Sequence, residues 1–378
     1  MSQRRLFYGW TVLAAAATIV AIGQGALLSF GVFLKPLEES MRWNRSDISM
    51  VALLNWLAMG AGSFVWGALS DRLGGRVVAV AGGLLMGLGF VVSSQVTELW
   101  QLDVTFGLAV GVVSAGSGLG LLLFSPLARW LTNTWDWRIA MLVLGDLAWL
   151  VVIPAALLIR NAPSEMGAVA LGGGGAPQRE YSTAQVFRTP QFWAIALTHL
   201  ACCATHAGPI FHMVTHAIDQ GVLPMVAATA LGVSGLSSIA GRIGCGVLAD
   251  RFGAKRTLVA GLALQAVMVF SYLFTRHAGD FYAVAIVFGV AYGGVMPLYA
   301  LVTREYFGEK VMGTAYGAVF FISTLGMGLG SWAGGFIHDH LGTYGWLYGG
   351  SAAIGAAATL MAFSFRSPRL MAQGATSS

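Results

Sequence analysis

The chain has 378 residues, of which 57% are hydrophobic and 10% charged, with a formal charge of +5. Soluble domains carry about 25% charged residues, so this composition cannot coat a surface in water and suits a protein whose outside faces lipid. The basic residues fall mostly in short loops, as membrane orientation requires. That excludes nucleic-acid binding as the meaning of the positive charge, and no pattern of an enzyme or cofactor site is present.

Arg4 and Arg5 precede an apolar stretch long enough to be a span, with no small-residue cleavage site, which predicts a first span and not a leader. About 20 apolar residues cross a bilayer as a helix. Apolar blocks run over roughly 8–34, 46–69, 77–95, 101–131, 138–160, 191–218, 224–248, 256–275, 281–303, 312–336 and 344–365, eleven in all. The fourth is too long for one ordinary span and short for two. The polar gap 161–190, with four glycines at 172–175 and Pro177, separates two halves. The predicted organisation is an N-terminal bundle over 1–160, a linker over 161–190, a C-terminal six-helix bundle over 191–366 and a tail over 367–378. Cys202, Cys203 and Cys245 lie in apolar runs and read as small buried hydrophobes.

Loop charges set the orientation. With the N-terminus in the cytoplasm, Arg4, Arg5, Arg72, Arg76, Arg160, Arg179, Arg188, Arg251, Lys255, Arg256, Arg304, Lys310, Arg366 and Arg369 are cytoplasmic, fourteen of the 21 Lys and Arg. Lys35, Arg42, Arg45, Arg129, Arg138 and Arg276 are outside, and Arg242 lies within a span. The bias holds in the second half only if block 101–131 crosses twice or otherwise keeps parity. The predicted location is the plasma (inner) membrane.

Two loops repeat. Gly67-Ala-Leu-Ser-Asp71-Arg72-Leu-Gly74-Gly-Arg76 follows the second block, and Gly246-Val-Leu-Ala-Asp250-Arg251-Phe-Gly253-Ala-Lys255 follows the second block of the other half, offset by 179 residues. The glycines permit a tight turn, and the aspartate and basic residues can pair across the loop. This motif resembles the loop signature of the major facilitator superfamily, here in both copies. The resemblance covers essentially the whole chain. It implies an all-α integral membrane fold of two pseudo-symmetric six-helix bundles that rock about a central site.

The repeat also exposes a gap. Phe106-Gly107 matches Phe288-Gly289 at an offset of 182, whereas Gly120 matches Gly330 at 210 and Trp137 matches Trp346 at 209. The jump of 28 (210 minus 182) removes most of a fourth helix and the loop after it. Block 101–131 is then either a cramped hairpin or a single span.

An ionisable residue inside a span is a functional hypothesis by default. Arg242 lies nine residues before Arg251, about 13 Å deeper at 1.5 Å per residue. Its planar fork fits a carboxylate, and Gly241, Gly244 and Gly246 leave space around it. It is read as the anion-binding residue; the alternative is a structural pair with an acid. The text Gly241-Arg242-x-x-x-Gly246-x-x-Ala249-Asp250 resembles the eighth helix of monocarboxylate transporters and the related oxalate/formate antiporters, where an arginine at this position binds the substrate carboxylate. Tyr8-Gly9-Trp10, Arg188-Thr-Pro-Gln-Phe-Trp193 and Gly293-Gly294-x-x-Pro297 lean the same way. Oxalate carriers add a lysine in the eleventh helix; segment 312–336 has no Lys or Arg, which argues for a single carboxylate.

Block 191–218 carries His199, His206, His212 and His216. His199 and His206 share one helical face, and His212 and His216 another, with Asp219 continuing it. His206 and His212 are candidates for solute or proton binding, because histidine titrates near neutral pH. Structural roles stand beside that, as does a metal reading with Cys202 and Cys203, although neither set matches a known metal motif. Asp146, about 12 Å inside its span, is a proton carrier or a structural partner, and Asp103 reads as interfacial. Tyr292 and Tyr299 share a face and can donate to a carboxylate or simply pack. Gln24 and Asn55 line the site or join helices.

These residues predict a secondary transporter of a small monocarboxylate, lactate-like or pyruvate-like, coupled to protons and acting as a monomer without a cofactor. The rivals are an exporter of another organic solute and a transport-incompetent truncated family member.

Overall fold

The computed structural model describes residues 15, 18, 25, 29–73, 75–110, 120–158, 181–308 and 311–365, with side chains within 63–75 described only at Trp66 and Leu69 and none within 120–124. Gln24, Gly74, the surroundings of Gly67, the side chains of Asp71 and Arg72, and 161–180 of the linker lie outside the described residues.

The helices follow the apolar blocks. In the first half they are α1 (Phe30–Met41), α2 (Arg45–Leu73), α3 (Gly75–Ser93), α4 (Leu99–Val110), α5 (Gly120–Thr134) and α6 (Trp137–Leu157). A short α7 (Thr183–Arg188) leads into α8 (Pro190–Asp219), α9 (Pro224–Phe252), α10 (Ala254–Phe274), α11 (Ala278–Phe307), α12 (Met312–Leu341) and α13 (Gly345–Phe363). Thr189 caps α8, accepting from the Phe192 N–H at 3.3 Å, and Pro190 takes the first helical position, where its missing N–H is harmless. Gly253, at φ +89°, makes the turn between α9 and α10. Among the described residues eight helices are long and apolar enough to span a membrane. Leu150, Leu360 and Phe363 are among the large apolar side chains on their outer surfaces, as lipid contact requires.

The two halves pair reciprocally. The second helix of the first half, α2, packs on α12, the fifth of the second half; the fifth of the first, α5, packs on α9, the second of the other. α1 meets α8 between them. α4 lies against α2 and α3, the neighbours that a fourth helix has in the second half, where α11 lies against α9 and α10. Residues 99–110 therefore stand in for a fourth helix and 120–134 form the fifth.

The outer ends of the two pieces lie at the same end of the molecule. The Arg138 Nη1 donates to the Ser94 carbonyl at 2.8 Å, and its Nη2 lies 3.9 Å from Met41 Sδ. The ends of α1 and α3 and the start of α6 thus share one end of the molecule. The chain leaves that end at α4 and is back there after α5, so block 101–131 keeps the parity of the later spans. The described part of α4 runs to Val110, and most of it, Asp103–Val110, is wound as a π-helix.

Candidate functional site

Four helices of the second half build a polar cluster at mid-depth. His206 on α8 faces Tyr292 on α11, ring centroids 5.5 Å apart. Gln265 enters from α10 almost fully buried; its Nε2 donates to the Cys202 carbonyl at 3.0 Å and lies 3.5 Å from His206 Nδ1. The Ser238 hydroxyl on α9 donates to the Gly235 carbonyl at 2.7 Å and lies within hydrogen-bonding reach of the Tyr292 hydroxyl. Arg242, one turn further along α9, is half-buried and acts electrostatically on Tyr292. A cation thus reaches a phenol electrostatically, and the phenol adjoins a serine and an imidazole, with an amide beyond them; groups of these kinds can bind a carboxylate and a neighbouring hydroxyl or carbonyl.

Gly241 does not leave the space beside Arg242 that the sequence suggested. A Cβ there would run into the Val290 backbone of α11, because α9 and α11 pack glycine to backbone; around Gly244 and Gly246 there is open space.

The four histidines separate, although α8 runs unbroken through Pro209. His199 stacks on Tyr299 at 3.9 Å between centroids, with planes 14° apart, and the Tyr299 hydroxyl donates to the Thr198 carbonyl at 3.3 Å. Tyr299 is therefore engaged in packing, two turns from Tyr292 along the same face of α11. Among the described residues no three His, Cys, Asp or Glu gather in a way that would hold a metal ion.

His212 belongs to a second network that shuts the end of the molecule near Ser94 and Arg138. Its Nε2 donates to the Ser331 carbonyl at 2.8 Å, and its Nδ1 lies 3.2 Å from the Tyr344 hydroxyl. The Arg45 Nη1 donates to that same hydroxyl at 3.0 Å, so the phenolic proton is left to point at His212. Burial holds the Tyr344 phenol above its ordinary range, so it stays neutral. The Arg45 guanidinium is 3% exposed and grips Asp219 with two bonds, of 2.6 and 3.1 Å, and Glu38 at 3.1 Å. Lys35 lies 3.3 Å from Glu38 and 3.7 Å from Asp219, and the Ser46 N–H donates to Asp339 at 2.7 Å. Lys35, Glu38, Arg45 and Ser46 come from the first half, Asp219, Asp339 and Tyr344 from the second. This closed end ties the halves together.

Below it, Asn55 on α2 donates from Nδ2 to the Phe106 carbonyl of α4 at 2.8 Å, and its Oδ1 meets no donor among the described residues. Asn55, Trp56, Phe30, Phe211 and Met327 line a cavity of about 20 Å³ between the halves, room for a single water. Asp146 is exposed on α6, in line with Ile139 and Leu150, and is not brought to either network. Asp103 opens the π-helical part of α4, near the closed end.

At the opposite end, the motif end, Asp250 and Arg251 stand exposed, and Arg76 is exposed at the start of α3. Among the described residues Lys255 pairs with no acid; its Nζ donates to the Phe365 carbonyl at 2.5 Å. An ion pair at so exposed a site gains little, whereas the carbonyl beyond α13 needs a donor.

Gln265, Ser238 and Tyr344 are absent from the sequence-derived set. Gln265 carried a signal of the kind that marked Arg242, a polar side chain in the middle of an apolar block; Tyr344, at a block edge, carried none.

The profile of the Major Facilitator Superfamily matches this chain over residues 9–106 and 96–331. The two stretches meet where the repeat offset jumps. Monocarboxylate transporter 13 of Rattus norvegicus is 27% identical over 366 residues, covering 89% of this chain and 84% of that protein. Monocarboxylate transporter 11 of Homo sapiens is 28% identical, covering 89% and 78%. An uncharacterized MFS-type transporter, YhjX of Escherichia coli (strain K12), is 24% identical, covering 83% of each. In fold, the crystal structure of the nucleoside transporter NupG superposes with a TM-score of 0.67 at 13% identity, covering 95% of this chain and 99% of that one. With its reciprocal helix pairs and doubled loop motif, this chain belongs to the Major Facilitator Superfamily, as a multi-pass membrane transporter and not an enzyme.

Proposed function

We propose that the chain carries a small monocarboxylate, lactate-like or pyruvate-like, together with a proton, by alternating access. The observation that carries this reading is the cluster at mid-depth: Tyr292 with Ser238 and His206 against it, Gln265 beside His206, and Arg242 within electrostatic reach of Tyr292. The relatives that bear the name monocarboxylate transporter support it. In this reading Arg242 holds the carboxylate, Tyr292 and His206 bind its polar neighbour, and His206 or His212 carries the proton. The closed end faces outward and the motif end faces the cytoplasm, across the plasma (inner) membrane. Bundles 1–160 and 191–366 move about the 161–190 linker as one monomeric carrier. Charge arithmetic favours coupling: an anion moving with a proton crosses neutrally, free of roughly 2.3 kcal/mol per charge per 100 mV.

The test is uptake of labelled lactate or pyruvate into liposomes under an imposed pH gradient. Wild type should accumulate label when the outside is acidic, and Arg242→Ala should abolish it. Unaltered uptake in Arg242→Ala removes the arginine from the site.

A further inference from the structure

Arg129 stands on α5, five residues before its last residue, Thr134. In the sequence it reads as a loop-end cation. In the structure it is 8% exposed, and its Nε and Nη1 are sealed from solvent and meet no acceptor among the described residues. Glu39, exposed at the end of α1, attracts it only through space. A guanidinium carries five N–H donors, and an unpaired buried charge is strongly destabilising. Natural structures keep such groups where something binds.

The surroundings suit a small anion. One turn earlier on the same face of α5, the Ser125 hydroxyl lies 3.3 Å from that of Ser29 on the first span. α5 packs across the interface between the halves onto α9, the helix of Arg242. At 1.5 Å per residue, Arg129 lies about 8 Å from the closed end of α5, and Arg242 about 27 Å from the closed end of α9. The two arginines therefore sit at different depths, about 20 Å apart along the membrane normal. No small carboxylate can touch both.

We propose that Arg129 is a second carboxylate site, a staging point that the anion meets on the closed-end side before it reaches the Arg242 cluster. This inference rests on the carboxylate reading of that cluster. While Arg45 and Asp219 hold the closed end shut, Arg129 is sequestered. When the halves part there, its planar fork meets water and grips a carboxylate with two parallel hydrogen bonds. Neutral solutes gain nothing from it, so the route filters for anions before the central site.

Wild type, Arg129→Gln and Arg129→Lys are reconstituted in liposomes sorted by orientation, and the KM for labelled pyruvate is measured from each side. Arg129→Gln should raise the closed-end KM about tenfold, the loss of a charge-assisted pair, and leave the motif-end KM within about twofold; Arg129→Lys should restore part of the loss. An equal shift from both sides, or none, overturns the proposal. Stability is the second readout. If Arg129 is unpaired, Arg129→Gln melts no lower than wild type without anion; a large drop in melting temperature reveals a structural partner and overturns it too. Should wild type carry no monocarboxylate at all, the function proposed above falls. Melting of the Arg242→Ala protein with pyruvate then decides Arg129 alone: stabilisation that disappears in Arg242→Ala/Arg129→Gln supports the site, and no stabilisation removes it.

Discussion

Tyr344 shows how a single phenol can hold two halves of a transporter together. It accepts from Arg45 of α2 at 3.0 Å and faces His212 Nδ1 of α8 at 3.2 Å. Because the His212 Nε2 donates to a carbonyl, which can only accept, the neutral ring must accept at Nδ1, and the phenolic proton fills that place. A protonated His212 would present N–H groups on both sides and leave the phenolic proton without an acceptor. Tyr344→Phe should strand the buried imidazole nitrogen, at about 1–3 kcal/mol, and shift the closed end toward opening about tenfold. The measurement is the rate at which an impermeant maleimide, added on the closed-end side, modifies Ala52→Cys beside the small cavity, with Cys202, Cys203 and Cys245 replaced. Equal rates with and without the Tyr344→Phe substitution would show that the phenol does not hold the closure.

At the scale of elements, helix ends were legible because block edges coincide with caps and turns. Thr189-Pro190 starts α8 and Gly253 separates α9 from α10, as the sequence spacing indicates. Arg242 was legible for the same reason as the spans, since an arginine inside an apolar run stands out. What was not legible is which face each residue presents across a helix pair. Gly241, Gly244 and Gly246 look alike in sequence, yet only Gly241 is pressed on a neighbouring backbone. Arg129 was hidden because it falls two residues from a block edge, where charge counting treats it as a loop residue. The seam between α9 and α11 turns this difference into a measurement. Gly241 meets the Val290 carbonyl and Gly289 that of Ser234, backbone against backbone, where neither side chain rotation nor a small shift makes room. Gly241→Ala and Gly289→Ala should each destabilise the purified protein by about 1–3 kcal/mol and lower its melting temperature. Gly244→Ala, with open space around its added methyl, should melt at the wild-type temperature or above, since alanine favours a helix. If all three behave alike, close packing is not what sets the stability of this seam.

For the whole molecule, the question raised by the repeat is whether the loss of 28 residues inverts everything that follows. The fold class was readable from composition, spans and the doubled motif; the path through the shortened region was not, because apolar length alone fits one crossing or a tight return. Tertiary contacts decide it. Arg138, 44 residues after Ser94, donates to its carbonyl, so the chain on both sides of the shortened region stands at one end. The reciprocal pairs α2–α12 and α5–α9 are kept, and α4, next to the interruption, touches only helices of its own half among the stronger contacts. The interface between the halves is kept although the repeat is interrupted, which predicts that the second half keeps its orientation relative to the first. Single cysteines in a background without Cys202, Cys203 and Cys245 test this directly. Gln95→Cys, Trp135→Cys and Gly221→Cys, all at exposed positions of the closed end, should react with an impermeant maleimide added on one side of the membrane. Asp250→Cys and Ser364→Cys, exposed at the motif end, should react only from the other. If positions 95 and 135 label from opposite sides, the region crosses once, Arg138 cannot reach Ser94, and the second half stands inverted.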